Sequence, residues 1–357
     1  MYTLGTHFEE LLRRTQPPQE RIDVAATVTP LVRDYLRDHA DLATIAPHSR
    51  LVGSYAQKMS VGDVKDVDFL VFVPGDPVNN EPEAKSIVRQ LRAALDGLPE
   101  HLGYKGYAAI DIEMARRSVH VYFENEDFHL DVVPATAIDG LDEPLYVPDR
   151  GLNRWIPSHP LGYIELLNSL NNEHGKKVKR LGRLFKHFRD FHMKTRKPKS
   201  YWLGAVLVHH VQNTLDTDQS IAVLFHDLVN STYNSFAPTL GREGATPHIK
   251  DPMLGHDISW NWQRSHFETF MRRLADVRDW SAQALEEGDR DRAISLWQKV
   301  FGADYFPSEV AEAATQRAQT AYPGKSVVLP SGLVLPSATA AGGHTPTHPT
   351  RFYGSDE

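Results

Sequence analysis

Three aspartates and a Gly-Ser pair are the residues of this chain best suited to chemistry. Asp66 and Asp68 flank Val67 at the opening of the apolar run DVDFLVFV, and Asp131 lies inside a second run, FHLDVVPA. Side chains two apart on a strand share a face, so Asp66 and Asp68 project together while Val67 and Phe69 go to the other side. A neighbouring strand carrying Asp131 outward between Leu130 and Val132 would add a third carboxylate. Three carboxylates held close repel one another and are most readily stabilised by hard divalent cations with oxygen ligands. Mg²⁺ is the expected ion, with Mn²⁺ as a substitute, and such a cluster can hold two ions about 4 Å apart. One would activate an attacking hydroxyl, and the other would neutralise the pyrophosphate leaving a nucleoside triphosphate. Gly53-Ser54 suits the same chemistry, since a glycine lets backbone amides approach phosphate oxygens and the serine hydroxyl adds a donor. Asp111 and Glu113 also alternate on an expected strand, and they are an alternative source of the third ligand.

A second group of polar residues follows in the later half. Between Lys176 and Lys199 the chain carries eleven Lys and Arg residues against the single acid Asp190. That local field would attract a triphosphate or an oligonucleotide. Most of these cations are expected on a solvated helix face, but Lys186, adjacent to Phe185 at the edge of the apolar stripe, is directed partly inward. Ser200 and Tyr201 stand at an expected helix start, where the serine can cap the helix, the helix end is itself an anion site, and the phenol ring offers a stacking face for a base. Of the eighteen histidines, the adjacent His209 and His210 invite a metal reading. On a helix they would point about 100° apart, so they are poorly placed to share an ion.

The elements that must position these residues are mixed in the first half and helical in the second. Apolar spacing predicts a helix over 19–40, kinked or broken at Pro30, and another near 82–97; strands are expected at 66–73, 107–114, 118–124 and 127–134. Helices are expected at 161–172, 175–195, 200–215, 217–230, 259–286 and 289–301. Within 175–195, Val178, Leu181, Leu184, Phe185, Phe188 and Phe191 form one apolar stripe. The fold class is therefore α+β: a lobe with a mixed sheet over residues 1–160, a helical lobe over 161–322, and a Pro/Gly/Ser/Thr-rich mobile tail over 323–357.

Composition narrows the field. At 357 residues the chain is about two domains long at ~150 residues each, and 41% hydrophobic with 24% charged residues is ordinary for a globular protein. A net charge of −7 speaks against a duplex nucleic acid as the natural partner. The absence of cysteine excludes disulfides, thiolate metal sites and a cysteine nucleophile. No stretch approaches the ~20 apolar residues of a membrane span, so a soluble, cytoplasmic protein is expected, with no membrane partner.

Gly-Ser, a loop, Asp-x-Asp on one strand and a third Asp on a later one resemble the polymerase-β-like nucleotidyltransferase superfamily. The L-D-V-V-P-A context of Asp131 resembles its cyclising branch, which favours Asp131 over Asp111 or Glu113 as third ligand. With the basic helix and K-S-Y following in order, and with KDPMLGHDISWNW and AISLWQKVFGADYFP further on, residues 15 to 307 look like the CD-NTase family, the bacterial relatives of animal cyclic GMP-AMP synthase and oligoadenylate synthases. The resemblance implies two lobes closing around two nucleoside triphosphates (ATP, GTP or a pyrimidine). It makes Asp66, Asp68 and Asp131 the metal-binding catalytic residues, has Gly53, Ser54, Lys186 and Ser200 hold the donor triphosphate, and stacks Tyr201 on the donor base. It implies a cyclic di- or trinucleotide product acting in antiphage signalling. The rival readings are transfer to a hydroxyl of RNA, protein or a small molecule, and a non-catalytic nucleotide-binding protein. Where many relatives have an aliphatic-Leu-Glu sequence after K-S-Y, this chain has Trp202-Leu203-Gly204. Without cysteines it also lacks the zinc insertion of the animal enzyme, so activation by duplex DNA is not implied. Conjugation or a regulatory partner at Arg351-Phe352-Tyr353-Gly354 is a further expectation from the family.

Overall fold

The computed structural model describes residue 2 and residues 4–63, 66–77, 83–107, 109–214 and 218–310, together with the short strands 326–328, 334–336 and 345–346. The alternation in DVDFLVF forms a strand, β2 (Asp66–Phe72), second from the edge of a five-stranded sheet whose central strand is β5 (Phe128–Ala135). The other strands are β1 (Ser49–Val52), β3 (Ile110–Met114) and β4 (Val119–Phe123), in the order β1-β2-β5-β4-β3. Only β2 and β5 run parallel; the other pairs are antiparallel. Val67, Phe69 and Val71 enter one face, where α2 (Gln19–Arg37) and α4 (Glu83–Leu95) cover them. Each such buried side chain contributes roughly 1.5–3 kcal/mol. Leu70 and Phe72 enter the other face with Ala135. The strand is thus buried on both faces at its far end and polar where Asp66 and Asp68 stand.

Several expectations change. Pro30 does not break α2, which runs unbroken with Pro30 on its exposed side while Ala25, Val28, Val32 and Leu36 pack inward. A hairpin of β6 (Leu145–Asp149) and β7 (Arg154–Ser158) forms where the sequence suggested no strands, since Pro148 and Pro157 interrupt both runs. Leu145 and Val147 of the hairpin cover Leu70 and Phe72.

In the helical half, α6 (Pro160–Glu173), α7 (Lys177–His192), α8 (Ser200–Thr214), α9 (Ile221–Leu240), α10 (Arg264–Glu286) and α11 (Arg290–Phe301) share one core. The α7 stripe buries Val178, Leu181, Leu184, Phe185 and Phe188 completely, but Phe191, near the end of the helix, is partly exposed. The helix α9 runs ten residues past its expected end, through Pro238. The N-terminal α1 (Gly5–Arg14) places Leu4, Phe8, Leu11 and Leu12 in the helical core rather than against the sheet, so the first residues cross the division expected at 160. Among the described residues no helix is long and apolar enough to cross a membrane. Three short strands, at 326–328, 334–336 and 345–346, pair with one another in the segment expected to be mobile; Arg351-Phe352-Tyr353-Gly354 lies outside the described residues.

Candidate active site

Strand register gathers the acidic residues. Asp68 is the direct partner of Asp131 across the parallel β2–β5 ladder, so the two carboxylates rise from one face of strands about 4.8 Å apart. Asp66, two residues before Asp68, lies on the same face opposite His129. The alternative ligands lie elsewhere: Glu113 faces His120, which faces Asp131. That row puts Glu113 three strand spacings, about 14 Å, from Asp68. Asp111 is equally remote, opposite Tyr122.

The carboxylates bear the electrostatic signature of their crowding. Burial, then the charges of Asp131 and Asp66, push the Asp68 carboxyl up to about 6, against the opposing fields of Lys186 and His120. Burial also raises Asp131, although the charge and hydrogen bond of His120 pull it down. His120 donates through Nδ1 to Asp131 Oδ1, a partner that sequence reasoning missed. The alternation in VHVYF marks His120 as facing away from the core, but its partner depends on the β4–β5 register. As the side chains stand, no three His, Asp or Glu residues among those described are gathered for metal ligation. The donor chemistry nevertheless fits a hard divalent cation: three oxygen donors share one face, and their mutual repulsion is what such an ion would relieve.

Gly53 makes room for this site. It follows β1, has φ of 70°, and a Cβ built there would stand 1.9 Å from Asp68 Oδ2. A side chain would therefore be strained by its backbone and would displace the carboxylate. The short helix α3 (Gly53–Ala56) then carries Ser54, whose Oγ lies 3.3 Å from Ser60 Oγ and whose carbonyl accepts from the Met59 amide. The Met59 carbonyl accepts in turn from Lys186 Nζ at 3.1 Å. Ser54, Lys186 and Asp68 thus share one corner. Lys186 is only 6% exposed; burial and neighbouring Arg189 lower it to about 8, against the pull of Asp190 and Asp68.

Ser200 is reached from the same helix. Arg189, three residues beyond Lys186 on α7, donates through Nη1 to Ser200 Oγ and to the Pro198 carbonyl, both at 3.0 Å. Tyr201 donates to Asp251 Oδ2 at 2.9 Å and meets Tyr163 edge-on, with ring centroids 5.2 Å apart. The KDPM segment acts here as an anchor: Asp251 is buried and its Oδ1 accepts from the Met253 and Leu254 amides. Burial and Asp251 hold the Tyr201 hydroxyl far above the usual phenol range, so the ring stays neutral. Trp202-Leu203-Gly204 now has a steric account, because a Cβ at Gly204 would stand 2.3 Å from the Tyr163 hydroxyl. His209 and His210, which sequence spacing left apart, hydrogen-bond to different partners, the Lys250 carbonyl and Ser231 Oγ.

Gly53, Tyr163 and Tyr201 line a cleft of about 820 Å³ between the sheet half and the helical half, with Arg116, Arg117 and Lys199 on its wall. A volume of that size suits a nucleotide. Of the positions expected to touch substrate, Gly53 and Tyr201 line this cleft and Asp68 abuts its Gly53 corner; Asp66, Asp131, Ser54, Lys186 and Ser200 are not among its lining residues.

Residues 2–171 match the model of the Second Messenger Oligonucleotide or Dinucleotide Synthetase domain. Over 98% of its length the chain is 25% identical to a cyclic AMP-AMP-AMP synthase from Acinetobacter sp. (strain ATCC 27244 / 9458), of which it covers 96%. Among solved structures it is similar to DncV of Vibrio cholerae in its GTP-bound form, with a TM-score of 0.65 and 14% identity over 85% of this chain and 96% of that one. It is likewise similar to CdnC of E. coli MS115-1 with ATP, with a TM-score of 0.63 and 17% identity over 84% and 98%.

Proposed function

The chain belongs to the CD-NTase family of nucleotidyltransferases, and on that premise we propose that it joins nucleoside triphosphates into a cyclic oligonucleotide on the face that carries Asp66, Asp68 and Asp131. Similarity to a cyclic AMP-AMP-AMP synthase supports ATP as a substrate and a three-membered ring as the product, used as a second messenger in antiphage defence.

The observation that carries this reading is the pairing of Asp68 with Asp131 across parallel strands, with Gly53 leaving space for the Asp68 carboxylate. Asp66, Asp68 and Asp131 would hold Mg²⁺, which supplies charge neutralisation at the phosphates and a more acidic acceptor hydroxyl. The rest falls to the chain's own groups. Ser54 and Lys186 bind the donor phosphates beside the carboxylates, and Tyr201, fixed by Asp251, stacks on the donor base. Asp131, oriented by His120, takes the proton of the acceptor ribose hydroxyl. The hydroxyl oxygen bonds to the donor α-phosphorus, the bond from that phosphorus to the β-phosphate bridge breaks, and pyrophosphate leaves. Repetition lengthens the chain, and a final transfer within it closes the ring.

The test is incubation of the purified protein with the four nucleoside triphosphates and Mg²⁺, then phosphatase and mass spectrometry. A phosphatase-resistant cyclic product from wild type and none from Asp68→Asn is expected. Pyrophosphate release that requires an added RNA, protein or small-molecule acceptor would overturn ring synthesis.

A further inference from the structure

One wall of the cleft is built around a buried anion. Asp149, the last residue of β6, has no exposed surface. It accepts from Arg116 Nε at 2.7 Å, Arg117 Nε at 2.9 Å, and the Gly151 and Leu152 amides at 3.0 Å each. Burial alone would raise this carboxyl; the bonds from Arg116, Leu152 and Arg117 outweigh it and bring it down to about 2. An enclosed charge is costly unless fully paired. Here the pairing fixes two consecutive arginines of the β3–β4 turn whose side chains remain about half exposed, at 52% and 48%. Arginines that merely faced solvent would need no such anchor.

Both guanidinium groups line the cleft, and so does Lys199. Their bonds to Asp149 use Nε of each, which fixes the planes and leaves the paired Nη groups as the fork geometry suited to phosphate oxygens. Lys199 lies with Nζ 5.2 Å over the Trp202 ring. Burial, then the charges of Arg117 and Arg116, lower its pKa, which shows the three cations acting on one another. Asp149 balances one of these three positive charges, so this wall of the cleft carries excess positive charge.

We propose that Arg116, Arg117 and Lys199 form an anion subsite for the 5′-triphosphate of the acceptor nucleotide. This rests on the nucleotidyltransferase reading, in which the donor's phosphates lie at the carboxylates. The acceptor's 5′-phosphates are then the other strong anion brought into the cleft, and they remain intact while its ribose hydroxyl reacts. Asp149 is a positioning residue: it touches no substrate and sets the angle of the two forks.

The test separates donor from acceptor chemically. Labelled 2′,3′-dideoxy-ATP can donate but not accept, and α,β-methylene-ATP or plain adenosine can accept but not donate. Wild type is expected to use α,β-methylene-ATP at least tenfold better than adenosine, judged by acceptor kcat/KM. Arg116→Gln, Arg117→Gln and Lys199→Gln should each shrink that ratio several-fold, toward tenfold for the arginines. The single arginine variants leave Asp149 one arginine and two amides, and Lys199→Gln does not touch it, so misfolding does not decide the result. A ratio unchanged in all three variants, with both acceptors falling alike, would overturn the subsite while leaving the reaction in place. Equilibrium binding of α,β-methylene-ATP, titrated past one equivalent so that the donor and acceptor sites are resolved, supplies the second readout at the acceptor site. If wild type transfers nothing to either acceptor yet the three variants bind this analogue several-fold more weakly than wild type, the subsite stands and the nucleotidyltransferase reading falls. Equal binding by all four proteins would overturn the subsite.

Discussion

Replacing Gly53 by alanine adds a single methyl group at the point where β1 approaches Asp68. Its Cβ would stand 1.9 Å from Asp68 Oδ2 and 2.7 Å from Cγ, and the Asp68 Cβ at 3.1 Å blocks a simple retreat. The carboxylate must therefore move by about an ångström or more, since real contacts need roughly 3.5 Å. The residue must also hold φ of 70°, which costs a non-glycine residue about 1–2 kcal/mol. Misplacing a reacting group by 1 Å costs on the order of 10²-fold in rate. Gly53→Ala is thus expected to lower kcat for pyrophosphate release about 100-fold and the melting temperature by a few degrees. Equilibrium affinity for a non-hydrolysable triphosphate should change much less, because Ser54 and Lys186 retain their places. A continuous pyrophosphate assay, calorimetric melting and nucleotide titration measure the three quantities. A variant that turns over within twofold of wild type would show that the Asp68 position is not the one used in catalysis.

Three further outcomes follow from the same geometry. Because the Asp68 carboxyl is raised to about 6, its ionisation opposes folding: in metal-free protein the stability present below about pH 4 should fall as pH rises through 6, by on the order of 3 kcal/mol, and Asp68→Asn should flatten that dependence in thermal melts. Mg²⁺ should accordingly raise the melting temperature more at pH 8 than at pH 5. Lys186, lowered to about 8, loses its charge above that pH, so kcat/KM for triphosphate should decline on the alkaline side, and Lys186→Ala should raise KM at neutral pH while removing that decline. Gly204→Ala should destabilise the protein by about 1–3 kcal/mol through overpacking on the Tyr163 hydroxyl, and Tyr163→Phe should recover part of the loss; independent, additive effects in denaturant unfolding would contradict the contact.

What the sequence made legible depended on local periodicity. Period-two alternation placed Asp66 and Asp68 on one face and Asp131 outward, and the apolar stripe of α7 identified its buried side chains. Local pattern cannot supply register. The pairing of Asp131 with Asp68 rather than Glu113 with Asp68 follows from a strand order in which β5 lies between β2 and β4. The same gap hid His120, whose partner is eleven residues away on the next strand. It also hid Asp149, whose two arginines come from a turn more than thirty residues earlier. Two other misreadings have compositional causes. The prolines of β6 and β7 masked a hairpin, and the amphipathic α1 carries no mark of which half its apolar face will join. At Gly204 the departure from the family pattern was visible, but its cause, the Tyr163 hydroxyl, required the packing of α6 against α8.

The most direct test of the account is a crystal structure of the protein with Mn²⁺ and α,β-methylene-ATP, with anomalous scattering used to locate the metal. The account predicts manganese peaks between Asp66, Asp68 and Asp131, with the phosphate chain reaching Ser54 and Lys186. Manganese bound instead at Asp111 and Glu113, or a triphosphate bound with no metal at Asp68 and Asp131, would contradict it.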